Sequence, residues 1–164
     1  MHFILSLSGF VCAQNGNLRR SMESHQESLR LRKEANGDID EGVATSLAHL
    51  AMVFVKTHAS DVALGILEEA YRIRVALKSD NKDMAFLLYQ MGLIHHTSGS
   101  HDIALKFYLE TARMEKQTLG LAHRDLSITY YNLGQIYFQR GEMDLALTNF
   151  SEALEIEVRS VLLY

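Results

Sequence analysis

The fold is decided by the stretch Tyr131-Asn132-Leu133-Gly134-Gln135-Ile136-Tyr137, which is followed by Gly141 and then by Ala146, Phe150 and Ala153. Apolar side chains in this part of the chain recur every three or four residues, which is the period of an α-helix. A small residue such as Gly134 lets a second helix approach closely, and Gly141 can adopt the left-handed conformation that ends a helix. The stretch therefore predicts two helices that pack as a pair.

The same pattern occurs four times, at intervals of 41 or 42 residues. Its central small residue is in turn Gly9, Ala51, Gly92 and Gly134. In the first copy the second helix has lost apolar character and carries Ser21, His25 and Ser28 at the equivalent positions. Because regular periods of this length are typical of stacked helical hairpins, we expect one repeat domain over residues 1–164. Its repeats cover approximately residues 2–36, 44–78, 85–118 and 127–160.

Composition excludes several classes of protein. The chain has 16 Lys and Arg against 20 Asp and Glu, so there is no positive excess for nucleic-acid binding. The apolar run Leu50–Val55 is far shorter than a membrane span of about 20 residues, and a single cysteine excludes an intramolecular disulfide. We therefore expect a cytoplasmic protein with neither nucleic-acid nor membrane partners. The apolar start, residues 1–13, weakly resembles a secretion signal, but it has no Lys or Arg and keeps the repeat register.

The residues quoted at the outset resemble the consensus of the tetratricopeptide repeat. The period of 41–42 residues, rather than 34, is similar to the repeats of kinesin light chains, and Gly120–Asp125 resembles the connector of that family. The resemblance implies an all-α, right-handed α-solenoid of antiparallel helix pairs, with a concave groove that holds a partner segment. HEAT and armadillo repeats have comparable lengths and remain an alternative. The column where the consensus often has proline holds Lys33, Val75, Lys116 and Val158.

Helical phase identifies the side chains expected to line this groove, which are apolar, aromatic or amide and almost uncharged. These candidate residues are Ala48, His49, Met52, Phe86, Tyr89, Gln90, Leu93, His96, Tyr131, Asn132, Gln135 and Gln139. Amides can bond a peptide backbone through both donor and acceptor, and aromatic side chains are good anchors. The alternative is that Phe86, Tyr89 and Tyr131 pack against neighbouring repeats. Lys56 is the only cation on this face, so we do not expect a clamp for the carboxylate of a chaperone tail.

No catalytic or cofactor site is predicted. We expect His95, His96 and His101 to diverge rather than bind a metal, because His95 lies in a core column while His96 lies along the groove. Residues 36–42 resemble a calcium loop only superficially, and Cys12 falls in a core column. There is no phosphate-binding loop or nucleophile elbow.

The functional expectation is therefore protein–protein interaction without catalysis, through a protein or peptide segment held in the groove. Two alternatives remain open. The chain could be a self-assembling segment of a longer array, associating through an uncapped C-terminal helix that ends in the apolar run 158–164. It could instead be a regulatory module in which a peptide tightens the superhelix.

Overall fold

The computed structural model describes residues 2–120 and 123–162, with the side chains of residues 2, 3 and 81 left out. These residues form helices and no strand, as predicted. The helices are α1 (His2–Gln14), α2 (Leu18–Asn36), α3 (Glu41–Lys56), α4 (Ser60–Leu77), α5 (Asn81–Thr97), α6 (His101–Thr118), α7 (Arg124–Gln139) and α8 (Met143–Leu162). None of the helices in the described ranges combines the length and hydropathy of a membrane span.

The helices form two compact units, Met1–Ser79 with α1 to α4 and Asp80–Tyr164 with α5 to α8. In the first unit α1 packs on α2, α2 on α3 and α3 on α4. In the second unit α5 packs on α6, α6 on α7 and α7 on α8. Each unit is therefore a stack of two helical hairpins. The division of the expected single repeat domain into two units is understandable, because each repeat in such an array contacts only its neighbours and no core is shared by all.

Polar side chains at the helix starts show where the first helices begin. The sequence offers Asp40 or Glu41 as the cap of the first helix in the second repeat. The structure has Asp40, whose Oδ1 accepts hydrogen bonds from the backbone N–H groups of Gly42 and Val43. From the sequence, Asp83 and Asp125 are expected to be the caps of the corresponding helices in the third and fourth repeats, because each comes just before an apolar stripe. This prediction is wrong: Asp80 caps α5 and His123 caps α7. Both aspartates instead lie in the first turn of their helices, where a negative charge is also stabilised by the helix dipole. Helices α5 and α7 consequently start a few residues earlier than expected.

The turns inside the hairpins have the backbone conformation that the glycines predicted. Gly99 and Gly141 adopt φ values of +80° and +78°, in the left-handed region. His58 occupies the same position in the second repeat and adopts φ 60°, without glycine. The turn geometry is therefore common to these three repeats, and the second repeat has His58 where the other two have glycine.

The core of the second unit lies where α6, α7 and α8 meet. Its buried members are Ala104, Tyr108, Ala112, Leu126, Leu133, Ile136 and Ile156. Gly92 lies against this core, since a Cβ atom placed there would be 2.8 Å from a ring carbon of Tyr108. The second helices also continue past the column where the repeat consensus often has proline: α6 runs beyond Lys116 to Thr118, and α8 beyond Val158 to Leu162. A proline in those helices would have removed a backbone hydrogen bond.

Candidate functional site

The face between α5 and α7 carries two depressions, both inside the second unit. We call the first the Phe86 pocket; it has a volume of about 340 Å³. It is lined by Lys82, Asp83, Ala85, Phe86, Tyr89, Gln90, Glu115, Leu119, Asp125 and Ile128. Three of the predicted groove residues, Phe86, Tyr89 and Gln90, therefore share one pocket. Helix α6 supplies Glu115 to it, and Leu119 at the C-cap of α6 also lines it. Neither residue is among the predicted groove residues, which all lie on first helices.

Glu115 is the chemically unusual residue of the Phe86 pocket. Only 5% of its surface is exposed, and its Oε2 accepts a hydrogen bond of 2.8 Å from Thr129 Oγ1. Burial raises the pKa of this carboxyl to about 7, with a further upward contribution from the charge of Asp125. The pKa of Tyr89 is raised as well, mainly by burial and also by the carboxylates of Glu115 and Asp125. Both shifts are caused first by burial, and the neighbouring carboxylates act in the same upward direction.

The second depression, which we call the His96 pocket, has a volume of about 510 Å³. It is lined by Leu93, His96, Thr97, Gly99, His101, Asn132, Gln135 and Gln139. Five of the predicted groove residues meet here, two from α5 and three from α7. Burial, together with nearby His101, lowers the pKa of His96, so its ring is neutral at pH 7. This pocket therefore offers amide and imidazole groups and has no carboxylate among the described residues of its lining.

A hydrogen bond joins the two helices that carry these pockets. Asn132 Nδ2 of α7 donates to the Tyr89 hydroxyl of α5 over 3.0 Å. The equivalent positions of the first unit hold Ser6 and His49, whose Oγ and Nδ1 atoms lie 3.4 Å apart. A polar contact at this point between successive first helices therefore recurs in both units.

Tyr131, the remaining candidate of the second unit, lines neither of these two pockets. It lines a depression of about 560 Å³ together with Ile128, Phe150 and Leu154. Its ring centroid is 5.6 Å from that of Phe150, and half of its surface is exposed. Its hydroxyl accepts a hydrogen bond of 2.6 Å from Gln135 Nε2, which places Tyr131 beside the His96 pocket rather than in its lining.

The three groove candidates of the first unit have different surroundings. Ala48 is only 2% exposed and offers almost no surface, so its inclusion is wrong: the side chain packs into the core around α3. His49 and Met52 are partly buried and line a small cavity of about 80 Å³ with Phe10, His25 and others. The His49 ring lies 5.5 Å from that of His25.

The histidines of the third repeat point in different directions. His95 stacks on Phe107 with 5.6 Å between ring centroids, whereas His96 lies edge-on to His101 at 5.8 Å and to Tyr108 at 6.0 Å. Within residues 2–120 and 123–162, no three His, Cys, Asp or Glu side chains are placed to hold a metal ion. Cys12 is partly rather than fully buried.

A signal for Glu115 was present in the sequence. Along α6 the buried positions Ala104, Tyr108, Thr111 and Glu115 follow one another at intervals of four, three and four residues. An acidic residue in such a stripe is rarely buried without a partner or a changed pKa. An acid in the core stripe of a second helix therefore indicates a buried group with a changed pKa, in addition to the uncharged faces of the first helices.

Comparison with known structures finds the same fold in several proteins. BtubC (BKLC) from P. vanneervenii matches 96% of this chain with a TM-score of 0.85 and 22% sequence identity. Aspartyl phosphate phosphatase F from Bacillus subtilis matches 97% of this chain with a TM-score of 0.89 and 16% sequence identity. A putative kinesin light chain of Podosopora anserina with nearly identical TPR-like repeats matches 95% of this chain with a TM-score of 0.80 and 14% sequence identity. The chain spans 63%, 40% and 74% of these proteins. The predicted all-α solenoid of helix pairs is thus confirmed.

At the level of sequence, comparison with curated proteins returns no match. The model of one family, described as the tetratricopeptide repeat, matches residues 1–74 and again residues 83–156. These two ranges cover most of the chain, and the gap between them falls where the two units meet in sequence. The repeats also have the fold of the kinesin-light-chain-type repeats named above, as their period predicted. The chain therefore belongs to the tetratricopeptide repeat family.

Proposed function

We propose that this chain is a protein-interaction module that captures a segment of a partner protein along the face between α5 and α7, without catalysis. Tetratricopeptide repeats serve in general as scaffolds for protein–protein interaction. The neighbouring pockets of this face combine apolar walls with amide, imidazole and hydroxyl groups. Such a mixture suits a peptide, because the polar groups can bond its backbone while the apolar walls receive its side chains.

One observation carries this proposal: eight of the nine groove residues predicted in the second unit line two adjacent pockets on one face. These residues are Phe86, Tyr89, Gln90, Leu93, His96, Asn132, Gln135 and Gln139. Several of them retain accessible surface, and Phe86 is 39% exposed although it is a large apolar side chain. The Tyr89–Asn132 hydrogen bond holds the two helices of this face together, so the face is formed before a partner arrives. Preorganisation of this kind reduces the entropic cost of binding.

Selection from a displayed library of random peptides tests the proposal. The matched variants are Phe86→Ser in the Phe86 pocket and Phe138→Ser, which changes an exposed phenylalanine of α7 that lines neither pocket. We expect enriched peptides to bind the parent chain and Phe138→Ser alike and to bind Phe86→Ser at least tenfold more weakly. Failure to enrich any peptide, or equal binding by both variants, would contradict capture on this face.

Association between copies of the chain is a second candidate, favoured by the exposed apolar side chains of α8. Those in the described part of the helix are Met143, Leu145, Leu147, Leu154, Val158, Val161 and Leu162. Single exposed hydrophobic residues are common, but a cluster on one helix marks interaction surfaces. Sedimentation of the chain and of a Leu154→Ser/Val158→Ser variant tests this candidate. We expect a concentration-dependent oligomer that the variant loses; a parent chain that stays monomeric would exclude it.

We also propose that the module works in the cytoplasm. The sequence contains a single cysteine, so no intramolecular disulfide can support the fold. Small extracellular domains often depend on such bonds, whereas cytoplasmic ones do not. Fractionation of cells that express the tagged chain would test this placement, and recovery of the chain from the culture medium would contradict it.

A further inference from the structure

The Phe86 pocket differs from the His96 pocket in its charge. Three carboxyl groups line it, those of Asp83, Glu115 and Asp125, against the single ammonium group of Lys82. Phe86 and Ile128 also line it, and these apolar side chains are 39% and 38% exposed. A volume of about 340 Å³ lies within the range of about 300–1,000 Å³ seen for ligand pockets. The pocket therefore pairs apolar surface with an excess of negative charge.

We propose that the Phe86 pocket is the selective subsite for an arginine side chain of the captured segment. This inference rests on the proposed capture function and names the chemistry that the partner must bring. Phe86 and Tyr89 present aromatic surface to the aliphatic stem and the flat guanidinium group. The carboxyl groups of Glu115 and Asp125 supply the acceptors for its N–H donors.

Arginine fits these features better than the other side chains do. Its guanidinium group is planar, always charged and able to donate to carboxylates in a fork, and it stacks on aromatic rings. Lysine brings the charge but not the planar fork, and a neutral apolar side chain would leave the buried Glu115 without a partner for its charge. Within the fold, Oε2 of Glu115 accepts a hydrogen bond from the Thr129 hydroxyl.

The protonation of Glu115 gives this site a distinctive pH dependence. With a pKa of about 7, the carboxyl is largely protonated at pH 6 and largely ionised at pH 8. The groups that face it are Lys82, Asp83 and Tyr89 from α5 and Asp125 from α7. A guanidinium group binds the ionised form more tightly, so binding must release a proton at the lower pH. Affinity is therefore expected to rise by up to about tenfold between pH 6 and pH 8.

Titration with a small probe tests the subsite directly. The probe is Nα-acetyl-arginine N-methylamide, and the control is the citrulline analogue, which has nearly the same shape but no charge. Backbone amide resonances of the whole chain are followed by NMR at pH 6 and pH 8. The variants are Glu115→Gln, which keeps an acceptor for Thr129, and Glu110→Gln, which removes an acid of the same helix that pairs with Arg113 outside the pocket.

We expect saturable shifts at Phe86, Gln90 and Ile128 with the arginine probe, stronger binding at pH 8, and no saturation with citrulline. Glu115→Gln should weaken binding about tenfold and abolish its pH dependence, while Glu110→Gln should change neither. Equal effects of arginine and citrulline, or unchanged arginine binding in Glu115→Gln, would overturn the inference.

The peptide selection described above separates this inference from the capture function. Enriched peptides whose affinity is unchanged when arginine is replaced by citrulline would overturn the arginine subsite and leave capture standing. Saturable binding of the arginine probe without any enriched peptide would support the subsite and contradict capture.

Discussion

Gly134 of α7 lies directly beneath the ring of Phe150 of α8: a Cβ atom built on Gly134 would be 2.7 Å from Cδ1 and Cε1 of that ring. The same relationship joins Gly92 to Tyr108, sixteen residues further along the chain in each case. The second repeat has Ala51 and Leu67 at these two positions. In the third and fourth hairpins a glycine thus faces an aromatic ring. In the second hairpin the glycine is replaced by alanine and the aromatic residue by the smaller leucine.

Gly134→Ala is expected to destabilise the chain although alanine favours helix. Alanine gains up to about 1 kcal/mol in helix propensity, but the clash with the Phe150 ring costs about 1–3 kcal/mol. We expect a net loss of about 1 kcal/mol, measured by chemical denaturation. Adding Phe150→Leu reproduces the Ala51 and Leu67 pair and should recover the loss. A single variant that is more stable than the parent would contradict this packing.

Removal of the Tyr89–Asn132 hydrogen bond should loosen the contact between α5 and α7. Tyr89→Phe and Asn132→Ala are each expected to cost about 0.5–1.5 kcal/mol, and the double variant less than the sum. Tyr131→Phe is the matched control, because its bond to Gln135 is exposed and should matter little. Additive losses in the denaturation cycle would show that the two side chains do not interact.

Glu115 should make stability depend on pH in a direction unusual for an acid. Its pKa is raised from 4.5 to about 7, so the folded chain holds this proton more tightly than the unfolded chain does. The stabilising contribution is complete below pH 4.5 and is lost as pH rises through 7. We expect a loss on the order of 2 kcal/mol by pH 8, seen as a difference between the parent and Glu115→Gln.

Urea denaturation followed by circular dichroism from pH 4.5 to pH 8 measures this difference. Glu110→Gln should follow the parent curve, because that carboxyl is on the surface beside Arg113. Parallel curves for the parent and Glu115→Gln would mean that the Glu115 pKa is not raised.

His25 in the first unit should make stability depend on pH in the opposite direction, with stability lost as pH falls. Burial, reinforced by nearby His49, lowers its pKa from 6.5 to about 4, and a Cβ atom placed on Gly9 would be 2.7 Å from its ring. The neutral ring is therefore favoured in the folded state, and stability is present above pH 6.5 and lost as pH falls towards 4. The expected loss at pH 5 is on the order of 2 kcal/mol.

Hydrogen exchange of the α1–α2 hairpin, corrected for intrinsic rates, measures the effect of His25. Amides of this hairpin should lose protection between pH 7 and pH 5 in the parent and much less in His25→Gln. Equal loss of protection in both proteins would assign the pH dependence to another group.

Much of the fold could be predicted from the sequence because the same pattern of small, apolar and turn residues recurs from repeat to repeat. The positions of Gly99 and Gly141 predicted the left-handed turns. Asp40 and Glu41 were both candidates for the cap of α3, and Asp40 is the cap. Asp83 and Asp125 were misplaced because an acid is favourable both at the cap and in the first turn. Only the backbone hydrogen bonds of the structure distinguish these two positions.

The candidate site was less predictable, for a geometric reason. Helical phase predicted that Gln90 and Asn132 share one face, and they line neighbouring pockets. It could not show how deep a side chain lies between neighbouring helices. Ala48 was therefore predicted on the groove surface although it is buried. Tyr131 packs beside Phe150 and lines neither the Phe86 pocket nor the His96 pocket. Glu115 was missed because a pocket between first helices can be lined by the second helix behind them.

The central claim is that a partner segment binds on the face between α5 and α7. Its most direct test is amide NMR of the chain with and without a peptide enriched from the displayed library. We expect the largest shifts at residues of the Phe86 and His96 pockets, such as Gln90, Leu93 and Gln135. Shifts confined to α8, around Leu154 and Val158, would contradict the claim and favour association through that helix.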